Sequence, residues 1–119
     1  MLITKKGNSI FIRDAVICRS LISRMRGVMF KPSLSQAYVL EFISEQIIPL
    51  HMLFVFFPID VLFLDKTRKV VEVKERFLPF TFYCPAEKAQ YVVEIPAGSV
   101  KQSRIRLGDA VVWESFYKK

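Results

Sequence analysis

The chain has little of the chemistry that usually announces an enzyme. Its 119 residues hold a single histidine, His51, and only two cysteines, Cys18 and Cys84. There is no C-x-x-C pair, and no second His or Cys stands at ligand spacing from His51, which argues against a zinc site. No G-x-S-x-G element marks a nucleophile, and no RNP, KH or cold-shock signature marks a nucleic-acid module. Two cysteines are too few for a disulfide framework; a single bridge stays open, and two thiols in a reducing compartment is the favoured reading. The N-terminal run MLITKKGNSIF breaks into charge and a turn within eight residues. It lacks the apolar core of a signal peptide, so the protein is expected to be cytoplasmic. Internal repeats, linkers and low-complexity stretches are missing too, so one domain spanning 1–119 is expected.

What is present is apolar and basic. Hydrophobic residues make up 52% of the chain, charged residues 24%, and there are eleven phenylalanines. That composition is globular, with a core built on aromatics. The net charge of +7 suits phosphates, anionic lipid or acidic partners without choosing among them.

The most apolar stretch is 47–65, IIPLHMLFVFFPIDVLFLD. Its length raises the question of a membrane span. Pro49, Pro58 and Asp60 count against one, since a central Asp costs about 2.5–3.5 kcal/mol on insertion. Helix formers such as Ala, Glu and Lys are missing from it. It reads as buried strand, split by Pro58 into 50–57 and 59–65.

Around that stretch the pattern is one of short strands. Residues 1–18 read as a hairpin turning at Gly7-Asn8, with 15–18 as an extension or third strand. Ser20 to Met29 reads as the one clear helix, with Ser20 as N-cap, Leu21, Ile22, Met25 and Met29 as its apolar stripe, and Gly27 ending it or allowing close backbone approach. Further strands are expected at 38–42, 70–77, 91–95 and 110–116. Residues 70–77 alternate, with Glu72, Lys74 and Arg76 on a wet face, and should pair antiparallel with 59–65. Residues 77–85, FLPFTFYCP, form a proline-bracketed aromatic loop expected to cap an open sheet end. Residues 99–103 read as a short helical turn. The expected fold is mainly β or α+β: a compact, curved, partly closed, barrel-like and antiparallel-rich sheet with one short helix near 20–29.

Four segments resemble one family in order. Arg24-Met25-Arg26-Gly27-Val28-Met29 resembles the R-x-x-G-L-M helix end of the family called domain of unknown function 192. Residues 58–65 resemble its P-L-D strand, 91–98 its Y-V-L-E-L-P-A-G segment, and 105–109 its closing G-I-x-x-G-D element, with Arg104 where the first glycine usually stands. The resemblance covers about residues 20–112 and implies a compact β-rich domain with a short helix, and no established activity. Many members carry W-M-K-N-T ahead of the P-L-D strand; here His51-Met52-Leu53-Phe54-Val55 keeps the methionine and replaces the polar trio. This form resembles the short archaeal members that have no secretion signal.

The candidate site residues each have a bland reading and a sharp one. His51 could act as general base or ligand; half-buried and hydrogen-bonded at a strand start is the simpler role. Asp60, set in an apolar strand, needs a partner. An ion pair with Arg24 tying helix to sheet is the leading expectation, with Arg26 and backbone N–H groups as alternatives. Glu94 could point outward or meet an arginine, and Asp109 suits a tight turn. Convergence of Asp60, Glu94 and Asp109 would make a cation site; convergence of Asp60, Glu94 and His51 a small hydrolase. Arg104 and Arg106, with Phe80 and Tyr83, could form a basic aromatic face for RNA. Arg24 and Arg26 join these as binding candidates. The reading favoured is a non-catalytic module, with no cofactor or metal, that binds a protein partner or a small or anionic ligand at one end of a curved sheet.

Overall fold

A computed structural model describes residues 3–114 and 117–118. Strands β1 (Ile3–Lys6) and β2 (Ser9–Ile12) form the expected hairpin, with Lys6 opposite Ser9 and Gly7 at φ 62° in the turn. Strand β3 (Val16–Cys18) leads to helix α1 (Leu21–Arg26). Ser20 caps α1 by accepting the Ser23 N–H at 3.1 Å. The helix stops where Gly27 turns to φ 43°, its N–H still donating to the Ser23 carbonyl at 3.0 Å. Of the expected apolar stripe, the Leu21 and Met25 side chains lie outside the described residues; Ile22 is exposed and Met29 half-buried.

The chain continues through β4 (Tyr38–Gln46), β5 (Leu50–His51), β6 (Ile59–Leu64), β7 (Val70–Phe77), β8 (Phe82–Tyr83) and β9 (Ala89–Pro96). A four-residue helix α2 (Ser99–Gln102), β10 (Ala110–Trp113) and β11 (Tyr117–Lys118) complete it. The predicted final strand reaches into 115–116, which lie outside the described residues. Segment 50–57 is strand only at Leu50–His51; beyond it the chain turns, with Phe54 at φ 57°. The carbonyls of Met52 and Phe54 are taken by the Phe80 and Phe30 N–H groups of two other loops rather than by a neighbouring strand, so the expected long strand is not made.

The centre is a six-stranded sheet in the order β11-β3-β4-β9-β6-β7. A three-stranded sheet β1-β2-β10 and a two-stranded ribbon β5-β8 flank it. Most pairings are antiparallel; β2–β10, β3–β11 and β3–β4 are parallel. The structure is therefore mainly β with little helix. Among the described residues no sheet closes on itself, so the expected barrel-like closure is not present: the six-stranded sheet ends in two edges, β11 and β7.

The central sheet is apolar on both faces. Along β6, Ile59, Val61 and Phe63 join one cluster while Leu62 and Leu64 join the other. On β9, Val93 and Ile95 share the face of Leu62, and Val92 shares that of Phe63. The Leu62 face is covered by the hairpin, β10 and α2, the Phe63 face by residues 28–34, 48–55 and the β5-β8 ribbon. Burial on two faces explains why all of β6 is apolar except Asp60. Strand β7, at the edge, is half-buried at Val71 to Lys74 rather than split into a dry and a wet face. Glu72 is drawn in by the loop after β8: one oxygen accepts the Ala86 and Glu87 N–H groups at 2.9 Å, the other the Tyr83 hydroxyl. That bond raises the Tyr83 pKa to about 12. Cys18 is buried and Cys84 exposed, and no disulfide joins them.

Candidate functional site

The alternation along β6 and β9 decides which carboxylates can meet. Asp60 stands opposite Ile95 and Glu94 opposite Val61. Residues paired across strands share a face, so Asp60 points to the α2 side and Glu94 to the α1 side.

Asp60 is fully engaged there. Its Oδ1 accepts the Arg76 N–H, and its Oδ2 accepts the N–H groups of Gly98 and Val100, each at 3.0 Å. It caps α2 from a distant strand and pins the turn after β9. The expected ion pair with Arg24 is not formed; Asp60 has satisfied its charge with backbone donors on the opposite side of the sheet. Asp109 is likewise occupied, by the Lys5 ammonium at 2.9 Å and the Arg106 N–H at 2.8 Å. Burial raises its pKa, but these contacts outweigh that and hold it below the usual carboxylate range. Among the described residues, no three of His, Cys, Asp and Glu come together at ligand distance.

Glu94 is the opposite case. It is 7% exposed, and its Oε1 has no hydrogen-bond partner. Desolvation pushes its pKa from 4.5 up to about 7. Oε1 lies only 2.8 Å from where a Cβ on Gly27 would stand. The glycine ending α1 is thus needed twice, for its positive φ and for room beside the carboxylate. Arg24 approaches the same place. Its Nη1 donates to the carbonyls of Arg19 at 2.7 Å and Glu41 at 3.2 Å, and its guanidinium lies 4.7 Å from the Phe42 ring centroid. Its Nε is buried without a partner.

Arg24, Glu94 and His51 line one cavity of about 350 Å³. Gly27, Leu40 and Val55 form part of its wall, and Arg26 also reaches it. His51 is oriented by the Leu53 N–H, which donates to Nδ1 at 3.1 Å. The structure therefore brings together four of the predicted candidates, Arg24, Arg26, His51 and Glu94, and leaves Asp60 out, because the strand pleat sends neighbouring carboxylates to opposite faces. That Gly27 lies against Glu94 is visible only in the structure. Its signal is a glutamate embedded in the apolar run YVVEI, the same pattern that drew attention to Asp60.

The other predicted residues fall in two separate places. Arg104 and Arg106 line a depression beside Thr4 and Gly7 of the hairpin. Phe80 packs edge-on against Phe54 and Phe56 at 6.1 and 5.6 Å, while Tyr83 packs against Phe63 and Phe77. Loop 77–85 folds inward only in part: Phe77 is buried and Tyr83 half-buried against the core, whereas Leu78, Phe80 and Phe82 are exposed.

A family profile for uncharacterised proteins, domain of unknown function 192 ("Uncharacterized ACR"), matches residues 1–113. The chain belongs to this family. It is 35% identical over 116 residues to a UPF0127 protein of Thermococcus sibiricus, covering 96% of this chain and 75% of that one. It is 33% identical over 114 residues to a UPF0127 protein of Pyrococcus furiosus, covering 95% and 97%. The fold is similar to a crystal structure of a protein of unknown function from Novosphingobium aromaticivorans. The TM-score is 0.78 at 20% identity, over 91% of this chain and 79% of the other. None of these names carries an activity. In family terms, Gly27 of the R-x-x-G helix end and Glu94 of the Y-V-L-E segment meet at the cavity. The positions of the polar trio hold Leu53 and Phe54, both exposed, and Val55, which is buried.

Proposed function

We propose that this domain of unknown function 192 protein is a small-molecule binding module whose site is the Arg24–Glu94 cavity. The observation that carries the reading is the pair of buried, unpartnered polar atoms on its wall, Oε1 of Glu94 and Nε of Arg24. Leaving a buried donor and a buried acceptor unmade costs about 1–3 kcal/mol each, and a ligand offering both complements would recover it. Volume and lining agree: about 350 Å³ of mostly apolar wall with a few convergent polar groups. Two arginines on the wall disfavour a cation. A glutamate pKa of about 7 leaves Glu94 neutral in part of the population at neutral pH. The ligand class that fits is an uncharged amphipathic molecule with adjacent donor and acceptor, such as a carboxamide on an aliphatic chain.

Binding rather than covalent hydrolysis is supported by the wall itself, where the described residues include no Ser, Thr or Cys. Fragment titration by NMR tests the reading, with hexanamide, hexanoate and hexylamine as probes. Hexanamide is expected to shift the amide resonances of Gly27, His51 and Glu94, and to lose affinity by roughly tenfold in Glu94→Leu, for one lost polar complement. Equal responses to all three probes, or responses away from the cavity, would reject it.

A further inference from the structure

A second surface, beside the cavity but with none of its phenylalanines among the cavity's lining residues, is built from phenylalanines held outward. Phe30, Phe54, Phe56 and Phe80 are 61%, 47%, 63% and 49% exposed. They touch one another: Phe30 stacks on Phe54 at 5.0 Å, and Phe80 packs edge-on against both Phe54 and Phe56. They come from three loops laced by main-chain bonds. The Phe30 N–H donates to the Phe54 carbonyl at 2.9 Å, and the Phe80 N–H to the Met52 carbonyl at 2.8 Å. Three of the seven described non-glycine residues with positive φ are in this group: Phe30 at 62°, Phe54 at 57° and Phe80 at 59°. Bulky residues avoid that region, and holding them there costs stability. The backbone is strained at the points where it presents aromatic rings to solvent.

Charge within the segments that carry the cluster is one-sided. Segments 26–40, 47–59 and 77–85, which hold all four rings, contain no Asp or Glu; their charged residues are Arg26 and Lys31, with exposed Arg76 immediately before the third. The whole chain carries +7.

From this juxtaposition of linked aromatic loop tips with segments whose only charges are basic, we infer that the surface docks on an anionic lipid bilayer, the rings entering the interface and the cations facing the headgroups. Apolar insertion and attraction to anionic lipid add in such contacts. Phenylalanine has no polar handle for a mixed protein rim. Its rings here are packed on each other, so they offer few open faces for successive bases. Two copies meeting through this face would bring like charges together.

The test is sedimentation of the protein with vesicles of phosphatidylcholine alone or mixed equally with phosphatidylglycerol. The variants are Phe54→Asn/Phe80→Asn and Lys31→Glu/Arg76→Glu. Asparagine tolerates positive φ, so the aromatic variant should keep the fold, which circular dichroism checks. Wild type is expected to pellet with the anionic vesicles only, and each double variant to bind roughly tenfold more weakly. Four results would overturn the inference. The first is no wild-type binding, and the second equal binding to both vesicles. The third is retention by the aromatic variant, and the fourth a wild-type dimer dissolved by the same substitutions or RNA binding lost with them. Hexanamide binding at the cavity is independent of every arm.

Discussion

At the scale of single residues, two carboxylates in apolar strands have opposite fates. Asp60 is the cheaper to bury because three backbone donors surround it. Asp60→Asn turns one acceptor oxygen into a donor facing donors. Hydrogen bonds to a charged group contribute about 1.5–3 kcal/mol, so a loss of about 3 kcal/mol is expected in urea or thermal unfolding. Glu94 is buried at a cost. Its folded pKa of about 7 lies above its ordinary 4.5. Between those values the folded state holds a proton that the unfolded chain has released. The stabilising effect is complete below about pH 4.5 and is lost as pH rises to about 7, on the order of 3 kcal/mol in all. Glu94→Gln stays neutral throughout. Its melting temperature is expected to match wild type near pH 5 and exceed it at pH 8; a constant offset across that range would contradict the assignment.

At the scale of elements, local sequence signals hold where local interactions suffice. The Gly7-Asn8 hairpin, the Ser20 cap, the Gly27 stop and the β6–β7 pair through the Asp65 turn all form at the expected positions. Asp65 accepts the N–H groups of Thr67 and Lys69 and the Thr67 hydroxyl, as a turn aspartate should. The failures are elements with a long-range partner. Segment 52–57 has strand composition but becomes irregular loop, because Phe54 and Met52 bond to residues of two other loops. The α2–β10 turn offers a direct check. Arg104 sits at φ 54°, where the family resemblance places a glycine. Arg104→Gly relieves the left-handed conformation and should raise stability by about 1 kcal/mol, less a few tenths for added chain entropy. No gain in the denaturation midpoint would mean that the arginine side chain makes a compensating contact.

At the scale of the whole molecule, the six-stranded sheet is the frame and everything else covers it. β6 and β9 are each paired on both sides and buried almost throughout, whereas β7 and β11 form the edges. Amide exchange should therefore be slowest in β6 and β9, approaching the global unfolding rate, and faster by orders of magnitude in the β5-β8 ribbon. Comparable protection in β5 would contradict this layering. Across the net charge of +7, described ion pairs are few; Lys5–Asp109 and Arg19–Glu41 are the ones formed. Only the first is shielded enough to matter, since exposed pairs contribute about 0–1 kcal/mol. No described helix is long and apolar enough to cross a membrane.

By itself the sequence determined the class of fold, the positions of caps and tight turns, and the burial of the 59–64 strand. Those features follow from hydrophobic content, period-2 patterning and the conformational preferences of Ser, Gly, Asn and Pro, which act over a few residues. Family membership was legible too, in four short motifs. What only tertiary structure decided is which residues meet. A carboxylate in an apolar strand announces that it needs a partner but not which face it points to; that depends on strand register, and one residue of register separates the satisfied Asp60 from the unsatisfied Glu94. The same holds for the phenylalanines. Composition marks them as core, and only the crossing of three loops with left-handed backbone turns four of them outward.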